Sequence, residues 1–307
     1  MKLYAMQGRN QETTADQQLR AIMIEKFRRF CPVLEYIEFA QEGGNSGTYL
    51  KDSDAEAGDT NWRTSGENWP DNRSDPDEGV FAYKIFGSKV QTGREVSRRF
   101  DGKVGRFHAR EVGKFAERLA KNMQYAMFNA SASSNAKAID GILTQHAALS
   151  VARGETFGDT LSTQAKKEAL INKIKYAIED VEGATVVCMP LGIKDALTTL
   201  AGQLTNVGLN YFKQSIDAIG STNVPILVPG RNAAGTQTLP FDASNNGKIV
   251  IWRSAEESGV AGWSTTGFDA AYYGQQGSVV ESDIEVDVDV RITNPQSIYV
   301  IDGIQYS

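Results

Sequence analysis

A chain of 307 residues with 41% hydrophobic and 23% charged residues has the composition of an ordinary folded protein, long enough to bury a sizeable core in two lobes. Its formal charge of -6 argues against a free-standing nucleic-acid binder, for which a basic balance is expected. The two cysteines, Cys31 and Cys188, are too few for a disulfide framework or a four-ligand zinc site, and they read as small buried residues of a reducing compartment.

The N-terminal stretch has no apolar signal core, and no run approaches transmembrane length. The expectation is a chain made and kept in cytosol, or released by lysis. Thr14 and Gln17 suggest a capping box before a helix carrying Leu19, Ile22, Met23, Phe27 and Phe30 at helical spacing. Pro32 ends that helix or starts a second short piece. QEGGNSGTY, Gln41 to Tyr49, is a glycine-rich turn, read as a hairpin or flexible joint. Its Gly-Asn-Ser-Gly lacks the Gly-x-Ser-x-Gly spacing of a nucleophile elbow.

Lys51 to Val80 differs from its surroundings. Asp52, Asp54, Glu56, Asp59, Glu67, Asp71, Asp75, Asp77 and Glu78 stand against Lys51, Arg63 and Arg73, a local balance of -6. A disordered acidic linker would have this charge. Trp62 and Trp69 favour a long ordered loop or hairpin that packs on something outside its own core, since large amphipathic rings are placed where a surface covers them.

The next segment, from Val80 to Phe100, reads as β-structure with a turn at Gly87 or Gly93. Between Lys84 and Lys121 eleven basic residues face four acids, a local balance of +7. An acidic loop set directly before a basic module is the pattern of two surfaces made to meet, on different copies of the chain. Val112, Phe115, Ala116, Leu119, Met123, Ala126 and Met127 share one buried helical face; Arg106, Arg110, Lys114, Glu117 and Lys121 fall on the other. The helix then gives way to small polar residues, NASASSNAK, before Ile139-Asp140-Gly141-Ile142-Leu143. This break holds no nucleophile–base pair and no ligand cluster. His108 and His146 are single histidines, too few for a metal pair.

A second lobe begins near Phe157. Ser162 or Thr163 caps a helix whose apolar face is Leu170, Ile171, Ile174, Ala177, Ile178 and Val181, ended by Gly183. The strand ATVVCMP stops at Pro190, the helix GIKDALTTLAGQL follows, and VPILVPG and KIVIW read as further buried strands. No glycine loop matches a phosphate or dinucleotide fingerprint. In ESDIEVDVDVR, Glu281, Asp283, Glu285, Asp287 and Asp289 alternate with Ile284, Val286, Val288 and Val290, which puts acids on one sheet face and aliphatics on the other. Same-face neighbours lie about 6.6 Å apart, too far for one ion to gather all the acids. Cations are therefore expected opposite, either Arg94, Arg98 and Arg99 on a neighbouring strand or the basic helix face.

In order and spacing these parts resemble a tailed-phage major capsid protein of the HK97 type, over about Leu19 to Ile304. LRAIMIEKFRRFCPVLEYIEF resembles the arm helix and strand, NWRTSGENWPDNRSDPDEG the extended loop, and KVQTGREVSRRFDGK the strand leading to the spine helix. AIDGILTQ resembles the return after that helix. ALINKIKYAIEDVEGATVVCMPLGIKDALTTLAG resembles the opening of the axial domain, and VDVRITNPQSIYVIDGI the closing strands. The resemblance implies an α+β HK97-type fold: arm 1–50, extended loop 51–83, peripheral domain 84–156 with a spine helix at about 107–128, axial domain 157–277, and closing strands 278–307.

It further implies a non-enzymatic shell subunit with no cofactor, catalytic group or metal, assembling with itself into hexamers and pentamers in the host cytoplasm to form a virion capsid. Double-stranded DNA would be enclosed without sequence readout, because counterions and a few basic patches suffice, and no membrane is involved. A separate scaffolding protein or prior processing, a portal and a decoration protein are the implied partners. Inter-subunit contacts are expected at Trp62, Glu67, Trp69, Asp75, Asp77 and Glu78 of the loop and at Arg106, Arg110, Lys114 and Lys121 of the spine helix. No lysine lies between Lys51 and Lys84, so the loop tip cannot supply the amine with which some members cross-link their subunits. Two alternatives are an encapsulin-type compartment of the same fold and, from another class, a soluble hydrolase; the missing elbow and the two histidines weigh against the latter.

Overall fold

The computed structural model describes residues 1–6, 12–44, 46–51, 77–101, 104–149, 152–203, 218–219, 223–242, 246–256 and 258–305. Helix α1 (Thr14–Phe30) begins one residue earlier than the capping pair read from the sequence. Thr13 is the N-cap: its hydroxyl accepts from the Asp16 amide, and the Asp16 carboxylate accepts from the Thr13 amide at 2.8 Å. The expected face of α1 is buried at Leu19, Met23 and Phe27, with Ile22 and Phe30 half-buried beside it. A short 3-10 turn at Pro32–Tyr36 leads to strand β1 (Glu38–Gln41).

Strands β2 (Ser46–Lys51) and β3 (Asp77–Ala82) form a two-stranded antiparallel ladder, Ser46 opposite Ala82 and Lys51 opposite Asp77. Strand β4 (Lys84–Gly93) follows without a turn at Gly87. Gly87 lies against β12 (Val279–Ile292) in the ladder, where a Cβ would stand 2.7 Å from the Ile284 carbonyl oxygen. The chain changes direction at Gly93. Arg94–Asp101 is helix α2, which corrects the expectation of a basic strand there. Helix α3 (Val104–Asn129) is the long helix and buries Val112, Ala116, Leu119, Met123 and Met127 as the spacing predicts.

The break after α3 is a stitched turn that ends in α4 (Ile142–Ala148). The Ala130 carbonyl accepts from the Gly141 amide at 2.8 Å and from the Thr144 hydroxyl at 2.8 Å, and Asp140 accepts from the Ala132 amide at 2.8 Å. The small residues read in the sequence thus serve a tight reversal.

Two sheets organise the rest. In the first, β12 is the spine: β4 pairs along one edge, while β11 (Phe268–Gln276) and β10 (Val260–Ser264) share the other, and β1 pairs parallel to β10. Helices α1 and α3 cover one face of it. Helix α1 also covers the outer edge of β11: Arg20 Nε donates to the Phe268 carbonyl at 2.8 Å, and Asp16 accepts from the Tyr272 amide at 2.7 Å. An edge strand that would otherwise expose its backbone is closed by side chains of the arm.

The second sheet has the order β5-β13-β9-β6-β8-β7, from β5 (Gly154–Thr156), β6 (Val186–Cys188), β7 (Ala218–Ile219), β8 (Val224–Leu227), β9 (Gly247–Trp252) and β13 (Ile298–Ile304). Helices α5 (Gln164–Asp180) and α6 (Leu191–Gln203) pack on it. Thr163 caps α5, and all six predicted face residues are buried. The wall strands are apolar on both sides, and their period of two divides them between two cores. Val186, Cys188, Val250, Trp252, Ile298 and Val300 belong to the core shared with α1, α3 and the first sheet. Val187, Met189, Ile249, Ile251, Ile301 and Ile304 belong to the core under α5 and α6.

Trp252 is fully buried, meets Phe128 edge-on at 6.1 Å between ring centroids and donates its indole N–H to the Tyr36 carbonyl at 3.3 Å. Trp252→Ala is expected to cost about 3–5 kcal/mol, measured as a fall in urea midpoint at unchanged m-value.

Candidate assembly surface

Two features beside the first sheet bear on the expected contacts: the root of the β2–β3 hairpin and the outer side of α3. In the hairpin, Gly47 and Tyr49 on β2 and Gly79 and Phe81 on β3 face inward. Phe81 stacks on Trp263 at 4.9 Å and 9°, Tyr49 leans on Trp263 at 5.1 Å, and Tyr83 meets Phe81 at 5.4 Å. Gly47 lies against the Phe81 ring and Gly79 against the Tyr49 ring, positions with no room for a side chain. The outward face is Thr48, Leu50, Glu78 and Val80, with Leu50 61% and Val80 63% exposed. The root is also tied by polar bonds. The Ala82 amide donates to the Asp289 carboxylate at 3.0 Å, and the Tyr83 hydroxyl donates to the Glu42 carbonyl at 3.0 Å.

On the other feature, α1 and α3 flank an open groove of about 430 Å³ lined by Ile22, Glu25 and Lys26 of α1 and Ala109, Arg110, Gly113, Lys114 and Glu117 of α3. The helical face read as basic is partly neutralised within its own helix. Lys114 pairs with Glu111 at 2.7 Å, and Lys121 pairs with Glu117 at 2.6 Å while lying 4.8 Å over the Phe30 ring. The hydrogen bond from Lys121 holds the Glu117 carboxyl below its ordinary range, with Lys26 and Arg29 adding to the effect. Exposed pairs of this kind are worth about 0.3–0.5 kcal/mol each, so a partner can displace them at small cost. The sequence reading missed that α1 forms half of this groove. Ile22 and Lys26, four apart and just off the buried stripe of Leu19, Met23 and Phe27, were the available sign.

Of the predicted contact residues, Trp62, Glu67, Trp69 and Asp75 lie outside the described residues. Asp77 stands opposite Lys51, and Glu78, exposed, stands opposite Leu50. Arg106 lies in α3, with its side chain outside the described set. Arg110 is exposed at the groove.

The alternating acids of β12 find partners other than those expected. Lys89 is paired with Glu281 at 2.8 Å, and Gln91 donates to it at 2.6 Å; Tyr273 donates to Asp283 at 3.0 Å. Asp287 is buried, which raises its pKa, but donors from Thr265, Ser264 and Thr266 outweigh burial and hold it below the carboxylate range. Asp289 is fully buried, and desolvation raises its pKa although Arg291 and the Ala82 amide oppose the shift. Arg94, Arg98 and Arg99 lie in α2 rather than on a strand beside β12, which corrects their expected placement. Toward its C-terminal end β12 is buried on both faces, since the hairpin root and the β10–β11 turn cover the acidic side.

His108 is buried, with Nδ1 2.8 Å from the Thr92 hydroxyl and Nε2 3.0 Å from that of Ser282, and it ties α3 to β4 and β12. His146 contacts the Arg153 carbonyl at 2.8 Å. Among the described residues no three His, Cys, Asp or Glu side chains are grouped to hold a metal ion, and no helix is long and apolar enough to cross a membrane.

An arm helix, a long helix laid along a sheet, a hairpin rooted on that sheet and a second sheet with two helices together define the HK97-type capsid fold, a mixed α+β architecture. Solved structures with this fold match nearly the whole chain. A phage-related protein from Bordetella bronchiseptica RB50 aligns with TM-score 0.60 and 11% identity over 95% of this chain and 98% of its own. The SrpI encapsulin from Synechococcus elongatus PCC 7942, solved as a holo complex, aligns with TM-score 0.60 and 12% identity over 91% of each chain. The capsid of a native GTA particle aligns with TM-score 0.58 and 12% identity over 97% of this chain and 93% of its own. No protein-family model and no curated sequence matches the chain.

Burial depresses the pKa of His108 below the ordinary value of about 6.5. The unfolded chain therefore takes up the proton first. Stability present above about pH 6.5 is expected to be lost as pH falls below it. His146 shifts in the same direction by burial, which its bond to the Arg153 carbonyl partly offsets. Urea midpoints between pH 7.5 and 5.5 should fall in the parent and fall less in His108→Gln.

Proposed function

We propose that this chain is the major subunit of an icosahedral phage-type shell that encloses double-stranded DNA, built from hexamers and pentamers of itself. The observation that carries the reading is the hairpin root. It is clamped flat by Trp263 and Phe81, yet it turns Leu50 and Val80 outward, an apolar surface that the described chain leaves uncovered. A subunit of a closed shell repeats such a contact many times, so weak contacts multiply into a stable assembly. The similarity to the capsid of a native GTA particle supports the same reading. The chain's part is architectural, without catalysis; it assembles in the host cytoplasm with a separate scaffolding protein and meets a portal and a decoration protein.

The contact proposed between copies is a latch. Asp75, Asp77 and Glu78 of one extended loop approach Arg106, Arg110 and Lys114 of a neighbour's α3, with Lys121 at the margin and Glu67 on the acidic side. Trp62 and Trp69 add an apolar, salt-independent part. Salt weakens the charged part, because the Debye length falls from about 10 Å at 0.1 M to about 3 Å at 1 M. The second reading, a cellular compartment that houses a protein cargo, is favoured by the similarity to the SrpI encapsulin.

Particles purified from cells expressing the chain with its scaffold should be closed shells by negative stain. Nuclease-protected DNA supports the phage reading, and a co-purifying protein cargo supports the compartment. A monodisperse monomer or dimer under all conditions tried overturns both. Reversing Asp75, Asp77 and Glu78 to Lys should impair assembly at low salt, and Arg110→Glu with Lys114→Glu should partly restore it. Unimpaired assembly of the reversed loop removes the latch.

A further inference from the structure

The loop between β8 and β9 reaches from the second sheet to α3, and its own bonds stitch it. The Asn232 amide donates to the Thr236 carbonyl at 2.8 Å. The Asn232 side chain accepts from the Ala234 amide at 3.0 Å and the Thr236 amide at 2.8 Å, and Arg231 Nη1 donates to the Gly235 carbonyl at 2.9 Å. Gly235 has a φ of +89°, where glycine is favoured. Two amide side chains of α3 then hold the loop directly. Asn122 Oδ1 accepts from the Ala233 amide at 3.0 Å, and Asn129 Nδ2 donates to the Thr238 carbonyl at 2.8 Å.

Beside these ties are two groups that the described chain does not satisfy. Gln124 of α3 is 2% exposed and Thr238 is fully buried. Neither Gln124 Oε1 nor Thr238 Oγ1 has a hydrogen-bond partner among the described residues. Both side chains stand at Gly230. Its carbonyl accepts from the Thr238 amide at 3.1 Å, and a Cβ built on it would lie 3.6 Å from Gln124 Nε2. Rotating the Gln124 amide exchanges its oxygen for its nitrogen and leaves the same buried position without a partner. The stitched loop and the two direct ties fix the backbone of Thr238. A buried polar atom with its hydrogen bond unmade is costly, and valine or methionine would fill similar space without that cost. The pair calls for a third polar group, one that accepts from a hydroxyl and donates to an amide oxygen.

We propose that ordered water is built into this seam, accepting from the Thr238 hydroxyl and donating to Gln124 Oε1, and that it completes the joint between the long helix and the second sheet. Water has both roles, and globular proteins hold about one buried water for every 27 residues, each on roughly three polar partners. An open cleft of about 430 Å³, lined by Asn129 and by Leu239 next to Thr238, gives it a way in. Lys248 lines that cleft and no carboxylate does, which selects neutral water over a metal ion. The proposal concerns one chain and stands whatever the shell encloses.

The sign of one substitution of unchanged shape decides the matter. Thr238→Val removes the hydroxyl and keeps the branching. A hydroxyl bonded to water is then lost with its bond, and the unfolding equilibrium constant of the full chain, from urea titration, should rise about two- to tenfold. A hydroxyl with no partner would instead be relieved, and a constant unchanged or lowered in Thr238→Val overturns the proposal. A crystal structure or cryo-electron map of the parent that shows ordered solvent gives a separate reading. It should place water within about 3.2 Å of Gln124 Oε1 and of Thr238 Oγ1. Ordered solvent elsewhere in such a map but none at these two atoms overturns the proposal whatever the variant does.

Discussion

The architecture depends on a wall that is apolar on both sides. In β6, β9 and β13, consecutive residues face different cores, so each strand places one set of side chains under α1 and α3 and the alternate set under α5 and α6. A shift of one residue in any of these strands would exchange the two sets, putting residues fitted to one core into the other. The register of the wall and the packing of both halves are therefore one constraint. Trp252, the largest fully buried side chain among the described residues, sets the wall against the end of α3 and the segment after α1.

Side chains also do the work of backbone where the first sheet runs out of strands. Arg20 and Asp16 close the edge of β11, Gln145 donates to and accepts from β12 as a neighbouring strand would, and Asp287 gathers the turn between β10 and β11. Each satisfies groups that would be costly to bury unpaired. None of these partners is close in sequence: Asp289 reaches an amide 207 residues away.

That separation explains which parts were legible. The buried faces of α3 and α5 follow from helical period alone; the start of α5 was open between Ser162 and Thr163 as caps, and Thr163 takes the role. The alternation of β12 was also plain, but alternation reports two faces and not whether both are covered. Asp287 and Asp289 looked like members of a solvated row because the segments that bury them come from elsewhere in the chain. Arg94–Asp101 was read as strand because its valine and phenylalanine continued the β-branched and aromatic pattern before it, and Gly93 was the only punctuation. On α3, the spacing of Glu111 to Lys114 and of Glu117 to Lys121 already placed each cation beside an acid, so the self-neutralisation was open to inspection. The contribution of α1 to the groove was not, because it depends on how two helices pack.

The hairpin leaves and re-enters the body at facing positions, with Ser46 opposite Ala82 in the ladder. Its two ends are neighbours in space, so the chain between them adds no span that the body must accommodate. The entropic cost of a longer closed segment grows only slowly, by about 0.6 kcal/mol for each doubling. In mechanical terms the body is a socket whose geometry constrains the length of the segment between Lys51 and Asp77 only weakly, and Gly47, Gly79, Phe81 and Trp263 form the seat from which that segment departs.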